Sequence, residues 1–375
     1  MVSSNPTGSL FGLLSTTGCL ALFASACASC LPGPARTLDS GAGVIVVVLR
    51  EDAGATDGGI RRDGGLAATV ELITYLNGRF TSLRRIAAGE QSLGTTVLGN
   101  DDDAGIPGVT RYFVRQPDAG VSLLSNAIDT AQDLNSFGIV VGTTAIAGRI
   151  EAIRSDGNLL TRLQPGREGN AISVSDDGVA VGVTYTSGPP AVWLSFPDGG
   201  MNWLKVDAGQ FLTPRGMNSK HIVVGRIALV GSVRAFCTTE AGEIVVLPDF
   251  GIGAEANAIS DEGEIVGSAT EDDNTRSPVA WIDGGIFRLQ RPGSTYSATV
   301  HAGTSRGIAV GSATFDGELP HAVYWINGVV HDLNGFQAGD RLVEALDVSS
   351  SGIAVGSAIL ADGGYSGFIA HIKKD

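Results

Sequence analysis

The chain is short of charge, of aromatic rings and of basic clusters. Charged residues occupy 17% of its 375 positions and aromatics 6%. With a net charge of −14 and no stripe of Lys or Arg to neutralise phosphates, nucleic acid is excluded as a partner. Cysteine is also scarce. Cys19, Cys27 and Cys30 lie near the start, and Cys237 stands alone in the remainder. No disulfide can therefore staple the bulk of the chain, and the expected role of Cys237 is a small buried hydrophobe. No uninterrupted apolar run reaches the roughly 20 residues a membrane-spanning helix needs. The five histidines (221, 301, 321, 331, 371) include no i, i+4 pair. This argues against histidine-based metal catalysis, and no cofactor or catalytic residue is expected.

Glycine, at 53 residues, is abundant. Without a collagen period, that level fits many short strands joined by tight turns. No charged residue precedes Arg36, and Leu10 to Ala26 is apolar and small. Residues 1–27 therefore read as a secretion signal. Ala24, Ser25 and Ala26 before Cys27 resemble a bacterial lipoprotein cleavage site, which would place a lipid on Cys27. The missing basic residues ahead of the apolar stretch, and Ala24 in the usual leucine place, leave ordinary signal cleavage as the alternative. Cys19 and Cys30 are substitutes for Cys27. An acyl chain is the one membrane attachment expected. Residues 28–65, rich in Asp-Gly and Pro, read as a spacer. Within it, Gly43–Leu49 is a strand that could pair with the first or last repeat.

The remainder, 66–375, repeats one phrase: a polar turn, then a short apolar strand ending in glycine. It reads Phe137–Gly142, Asp177–Gly182, Lys220–Gly225, Glu262–Gly267, Arg306–Gly311 and Ser351–Gly356, with a worn copy ending at Gly99. Successive closing glycines from Gly142 are 40, 43, 42, 44 and 45 residues apart. A fixed period means that each unit buries its apolar face only by stacking on its neighbours. Each period holds four short β signals, including hairpins such as Val279–Leu289 and Val323–Leu333 with Asp-Gly or Asn-Gly at the turn. In the second full period the outer strand is expected at Trp203–Val206. Four strands per unit of about 43 residues is the arithmetic of a propeller blade.

Counting glycines from Gly99 to Gly356 gives an all-β propeller of seven four-stranded blades; six, eight or an open β-solenoid are the alternatives. Val70–Leu83 reads as an isolated outer hairpin and Gly367–Ile372 as an unfinished blade. An N-terminal strand completing that blade would close the ring.

The run Leu319-Pro-His321-Ala322-Val-Tyr-Trp325-Ile-Asn-Gly328-Val-Val-His-Asp332-Leu333, continued by Ala345–Gly356, resembles the unit of the extracellular HAF repeat family. Arg234-Ala-Phe236 through Gly267 matches again, with Arg234 in the histidine place, and the likeness extends over about 300 residues. The triplet is degenerate at Ser277-Pro-Val279 and Gly188-Pro-Pro190. The resemblance implies an exported repeat protein and carries no catalytic assignment.

Several motifs imitate chemistry. Gly303-Thr-Ser-Arg-Gly307 has nucleophile-elbow spacing but coincides with the repeat turn, and no helix follows it. Gly251-Ile-Gly253 imitates a dinucleotide fingerprint between two units. The acidic turns at Asp101–Gly105, Ser175–Gly178, Ser260–Gly263 and Glu271–Asn274 lack the alternating spacing of a calcium loop, so backbone capping is the expected role. His221 fills a glycine slot, as a residue tolerant of positive φ. Trp193, Phe236, Trp281 and Trp325 recur at one place and are expected to pack between blades.

The sequence thus predicts a non-catalytic binding scaffold, monomeric and exported. It would meet an unknown protein or glycan through the loops that differ most between repeats: Asp101–Gly105, Thr186–Pro190, Glu271–Ser277 and Asp316–Pro320. The candidate contact residues are Asp101, Asp102, Asp103, Glu271, Asp272, Asp273 and Asp316. The rival is a glycosidase-like enzyme, which would need two carboxylates facing each other across a cleft.

Overall fold

The structure is a computed structural model. It describes residues 43–47, 69–74, 81–98, 109–118, 120–157, 159–185, 189–207, 209–272, 275–293, 297–304, 307–315, 319–334 and 340–373. The leader, Cys27 and most of the spacer lie outside these, as do Gly99, Asp101, Asp102, Asp103, Asp273 and Asp316.

Every regular element among the described residues is a strand, and none is a helix long and apolar enough to cross a membrane. The described strands form six sheets, four of them four-stranded and antiparallel. Following the repeat, they divide into units 1 to 7, of which units 4 and 5 are joined into one eight-stranded sheet by a parallel bridge between Val233 and Gly253. Units 1 to 3 span 81–123, 130–162 and 169–203, and units 4 to 6 span 211–246, 253–288 and 298–332. Unit 7 takes three strands from 341–371, and its fourth, outermost strand is Thr69–Thr74, paired antiparallel to Tyr365–His371. The first strand of each unit is innermost, and the last unit packs against the first. The architecture is a β-propeller closed by its own N-terminal strand. Gly43–Val47 adds a fifth strand outside Thr69–Thr74, on the last repeat.

Closure takes a form different from the outer hairpin expected at Val70–Leu83. Its two halves part company: Thr69–Thr74 completes unit 7, whereas Thr81–Ile86 is the inner strand of unit 1. Leu83, fully buried, packs with Ile73, Phe113 and Ile369, so one short segment bonds both ends of the ring. In unit 3 the outer strand is Met201–Trp203, ending where Trp203–Val206 was expected to begin.

The repeated glycine belongs to the second strand of each unit, and its cause lies in the first. Every inner strand carries a β-bulge opposite that glycine, which leaves one residue off the ladder there; unit 7 has a second irregularity between Leu342 and Glu344. The bulge drives an inner-strand carbonyl onto the glycine. A Cβ on Gly142, Gly225, Gly267 or Gly311 would stand 1.9, 2.1, 2.0 or 1.9 Å from the carbonyl oxygen of Thr130, Thr213, Glu255 or Thr299. In unit 1 the residue in this place is Gly94, paired with Leu83 and covered by the Phe113 ring, not Gly99. Gly94 departs from the pattern because Ser92-Leu93-Gly94 replaces the usual Val-Val-Gly.

The third strand supplies the large core side chains. Trp193, Phe236 and Trp325 are fully buried and Trp281 nearly so, which agrees with packing between units. They occupy two places rather than one. Trp193 and Phe236 lie across from the repeat glycines 182 and 225, whereas Trp281 and Trp325 pair two residues earlier, with Ile265 and Ala309. A step of two keeps them on the same sheet face. Their indole N–H groups are satisfied: Trp281 donates to the Pro248 carbonyl at 2.8 Å and Trp325 to that of Gln290 at 2.7 Å. Cys237 is half-buried in the unit 5 interface, a free thiol whose pKa burial pushes up.

Candidate functional site at the channel mouth

The bulge decides what faces the axis. The residues it leaves off the ladder are Arg84, Gln132, Ile172, Arg215, Asn257, His301 and Leu346. All of them line one cavity of about 700 Å³ at an end of the central channel. Around them lie Arg85, Asn170, Thr213, Glu255, Thr299 and Arg276, with Tyr185 and Pro190 on the rim. The framework repeats, and this ring does not: two cations, two amides, two aliphatics and an imidazole occupy equivalent places. The cavity adjoins the starts of the inner strands, the face from which the connections between second and third strands also rise. Those connections are the loops singled out above as most variable.

Its charge runs against that of the whole chain. The lining holds four arginines (84, 85, 215, 276) and one carboxylate, Glu255. Arg215 and Arg276 each place a guanidinium nitrogen 2.7 Å from Glu255, and Arg226 stands at 3.8 Å. Burial opposes ionisation of Glu255, but the Arg215 hydrogen bond and the three cationic charges outweigh it and hold its carboxyl below the usual range. Ser268 Oγ accepts from Arg276 Nε at 2.7 Å and fixes that fork. Arg84 is exposed and makes no ion pair with a described residue. His301 is kept neutral: burial first, then the nearby Arg85 charge, lowers its pKa to about 4. Its Nε2 and the Asn170 Oδ1 are buried without a hydrogen-bond partner among the described residues.

Just beyond the ring sit two carboxylates of the kind a hydrolase would need. Burial pushes Asp347 up to about 6, with Asp133 adding repulsion while Arg85 and the backbone donors work the other way. Both are already engaged as links between units. Asp347 accepts the Ile86 N–H at 3.0 Å; Asp133 accepts the Ser173 hydroxyl at 2.6 Å and the Val174 N–H at 3.0 Å. Neither lines the cavity. They followed no sequence motif, and only the bulge register marks them as equivalent.

The sequence-based contact residues are scattered. Glu271 holds Arg288 through two bonds of 3.0 and 3.1 Å and accepts the Ser277 hydroxyl at 2.5 Å. The Arg288 and Ser277 bonds lead the causes that lower its pKa. It fastens its loop to the outer strand of unit 5 and does not face the channel. Asp272 follows it in the same connection, apart from the cavity lining. The residues that do gather at the channel, Arg84, Arg215 and His301 among them, carry no motif. Their signal is a recurring position ten residues ahead of the repeat glycine.

Two of the acidic turns, Ser175–Gly178 and Ser260–Gly263, cap backbone. Asp176 accepts the Ser136 N–H at 2.8 Å and its hydroxyl at 3.0 Å, and Asp261 accepts the Ser219 N–H at 2.8 Å. Each turn thus clasps its counterpart one unit back. His221 adopts φ +59° in the glycine slot and bonds Asp177 of the neighbouring turn at 2.9 Å. No group of three or more metal-ligating side chains occurs among the described residues. Gly303 ends an inner strand and Gly307 belongs to the hairpin turn that follows; Ser305 lies outside the described residues.

No family model and no curated protein matches the chain. Solved structures do. The β-propeller domain of the Trilobed protease from Pyrococcus furiosus, described as having an open velcro topology, is 10% identical with a TM-score of 0.60 over 79% of this chain and 96% of that one. A prolyl endopeptidase is 12% identical with a TM-score of 0.50, over 82% of this chain and 53% of the other. Virginiamycin B lyase from Staphylococcus aureus is 10% identical with a TM-score of 0.49, over 80% and 99%. Identities this low speak for the β-propeller fold alone.

Proposed function

We propose that the chain is a non-catalytic binding scaffold, exported and held to a membrane through a lipid on Cys27, which meets a glycan or protein partner on the ring face where the channel cavity opens. The observation that carries this reading is the contrast within each unit. Second and third strands repeat their glycine and large apolar residues, while the bulged residue facing the axis changes character from unit to unit. A framework that repeats while one ring of cavity-lining positions diverges is what selection for recognition leaves behind. The engagement of Asp133 and Asp347 by backbone donors weighs against a glycosidase.

The test runs the purified protein through gels containing a panel of cell-wall and extracellular polysaccharides and assays each lane for released sugar. Retardation without product supports a glycan-binding module. Released sugar would overturn the non-catalytic reading, and absence of both would direct the search to a protein partner. Labelling with a fatty-acid analogue, lost on Cys27→Ala, tests the anchor.

A further inference from the structure

We propose that the channel mouth binds an anionic glycan, whose carboxylate or sulfate groups are gripped by Arg84 on one wall and by the Arg215–Arg276 pair on another. The inference rests on the binding-scaffold reading above and names the ligand class for that site.

Three observations converge. First, four arginines against one glutamate line the cavity of a chain whose net charge is −14. Such a local excess is maintained against self-repulsion, and a concave, low-dielectric mouth focuses its field. Second, the cationic wall is built rather than accidental. Glu255, only 14% exposed, takes 2.7 Å bonds from both Arg215 and Arg276 while their side chains stay 45% and 55% exposed. One carboxylate thus orients two forks, and with Arg226 nearby the cluster keeps an excess of two positive charges. Guanidinium forks of fixed orientation suit planar carboxylates and sulfate esters.

Third, the same cavity offers groups that a simple anion would leave unused. Asn170 Oδ1 and His301 Nε2 are buried there without a hydrogen-bond partner among the described residues. An amide oxygen wants a donor, and a neutral imidazole nitrogen can give or take one. The Tyr185 ring stands half exposed at the rim. A ligand that supplies acidic groups, hydroxyl donors and an apolar ring face together is an acidic sugar, whereas phosphate or acetate supplies only the first.

The experiment uses the whole protein in affinity gels with polygalacturonate, dextran sulfate and neutral dextran, repeated over a range of salt. Dissociation constants for galacturonate and sulfated oligomers are then measured for wild type and Arg84→Ala. Arg84 is exposed and makes no ion pair with a described residue, so its removal should leave thermal stability unchanged. Loss of one charge-assisted contact should weaken the bound oligomer about tenfold and flatten the salt dependence. Retardation by polygalacturonate alone assigns carboxylates, and by dextran sulfate alone sulfates. Binding of neutral dextran to the same extent, or binding indifferent to Arg84→Ala, would overturn the anionic assignment while leaving a glycan-binding face intact. No retardation in any gel would overturn the inference itself. Released sugar reports on catalysis separately, so the two readings fail in different ways.

Discussion

Asp347 accepts the backbone N–H of Ile86 at 3.0 Å, a bond that joins residues 261 apart and ties the innermost strand of unit 7 to that of unit 1. Asp133 makes the same link from unit 2 to Val174 of unit 3. These carboxylates look catalytic by their environment and structural by their partners, and the partners decide. A hydrolytic carboxylate must keep an oxygen free to meet substrate, whereas both oxygens of each are engaged: Asp347 by the Ile86 and Val348 N–H groups, Asp133 by the Leu134 and Val174 N–H groups and the Ser173 hydroxyl.

Their protonation gives a pH signature. Burial raises Asp347 to about 6, above an unfolded value near 3.9. The folded state therefore binds that proton more tightly, and the stability this confers is lost as pH rises from about 4 through 6. His301 runs the other way: its pKa is lowered to about 4, so its contribution is lost as pH falls from about 6.5 through 4. In thermal melts, His301→Gln should gain on wild type as pH drops through that window, and Asp347→Asn should gain as pH climbs through it. A difference from wild type that is flat with pH would contradict the assignment.

The repeat glycine is a steric requirement, and a second glycine provides the control. Gly267→Ala would drive a Cβ to 2.0 Å from the Glu255 carbonyl oxygen, an overpacking expected to cost about 3 kcal/mol. Gly263, at φ +97° with nothing near its Cβ position, should lose only about 1 kcal/mol on Gly263→Ala, through backbone strain. Urea denaturation of the two variants separates the causes.

Ring closure depends on the single strand Thr69–Thr74, held by its ladder to Tyr365–His371 and by the buried side chains of Val70, Leu72 and Ile73. Leu72 is 4% exposed in the last unit, so Leu72→Ala should cost about 2–5 kcal/mol. Leu72→Asp should go further and detach Thr69–Thr74, uncovering the edge of Tyr365–His371. Size-exclusion chromatography should then show soluble aggregates, the usual fate of an uncovered edge.

The acidic turns should ignore calcium. Asp176 spends both oxygens on Ser136, so Asp176→Ala should cost about 1 kcal/mol. Millimolar calcium should leave the melting temperature of wild type and variant unmoved. A rise with calcium that vanishes in the variant would restore the ion-binding alternative.

What could be read in the sequence was whatever recurs. The glycine period exposed the fold, and the four short strand signals exposed each unit's composition. The His221 substitution could even be matched to its backbone conformation. What does not recur was invisible: Arg84, Arg215 and His301 sit among apolar residues of their strands, and only the bulge turns them toward one axis. Gly94 was missed because its neighbours had drifted. The hairpin at Val70–Leu83 misled because two adjacent strands that look like partners serve opposite ends of the ring. Pairing across some 300 residues leaves no local trace.

A residue lifted off the ladder by a bulge has no cross-strand neighbour to satisfy. Its side chain can therefore be exchanged without disturbing register, core or hairpin turn, and each unit offers one such place at the same height. The scaffold works like a combination lock whose wheels turn separately: the specificity of the channel can be rewritten one wheel at a time, on a body that need not change.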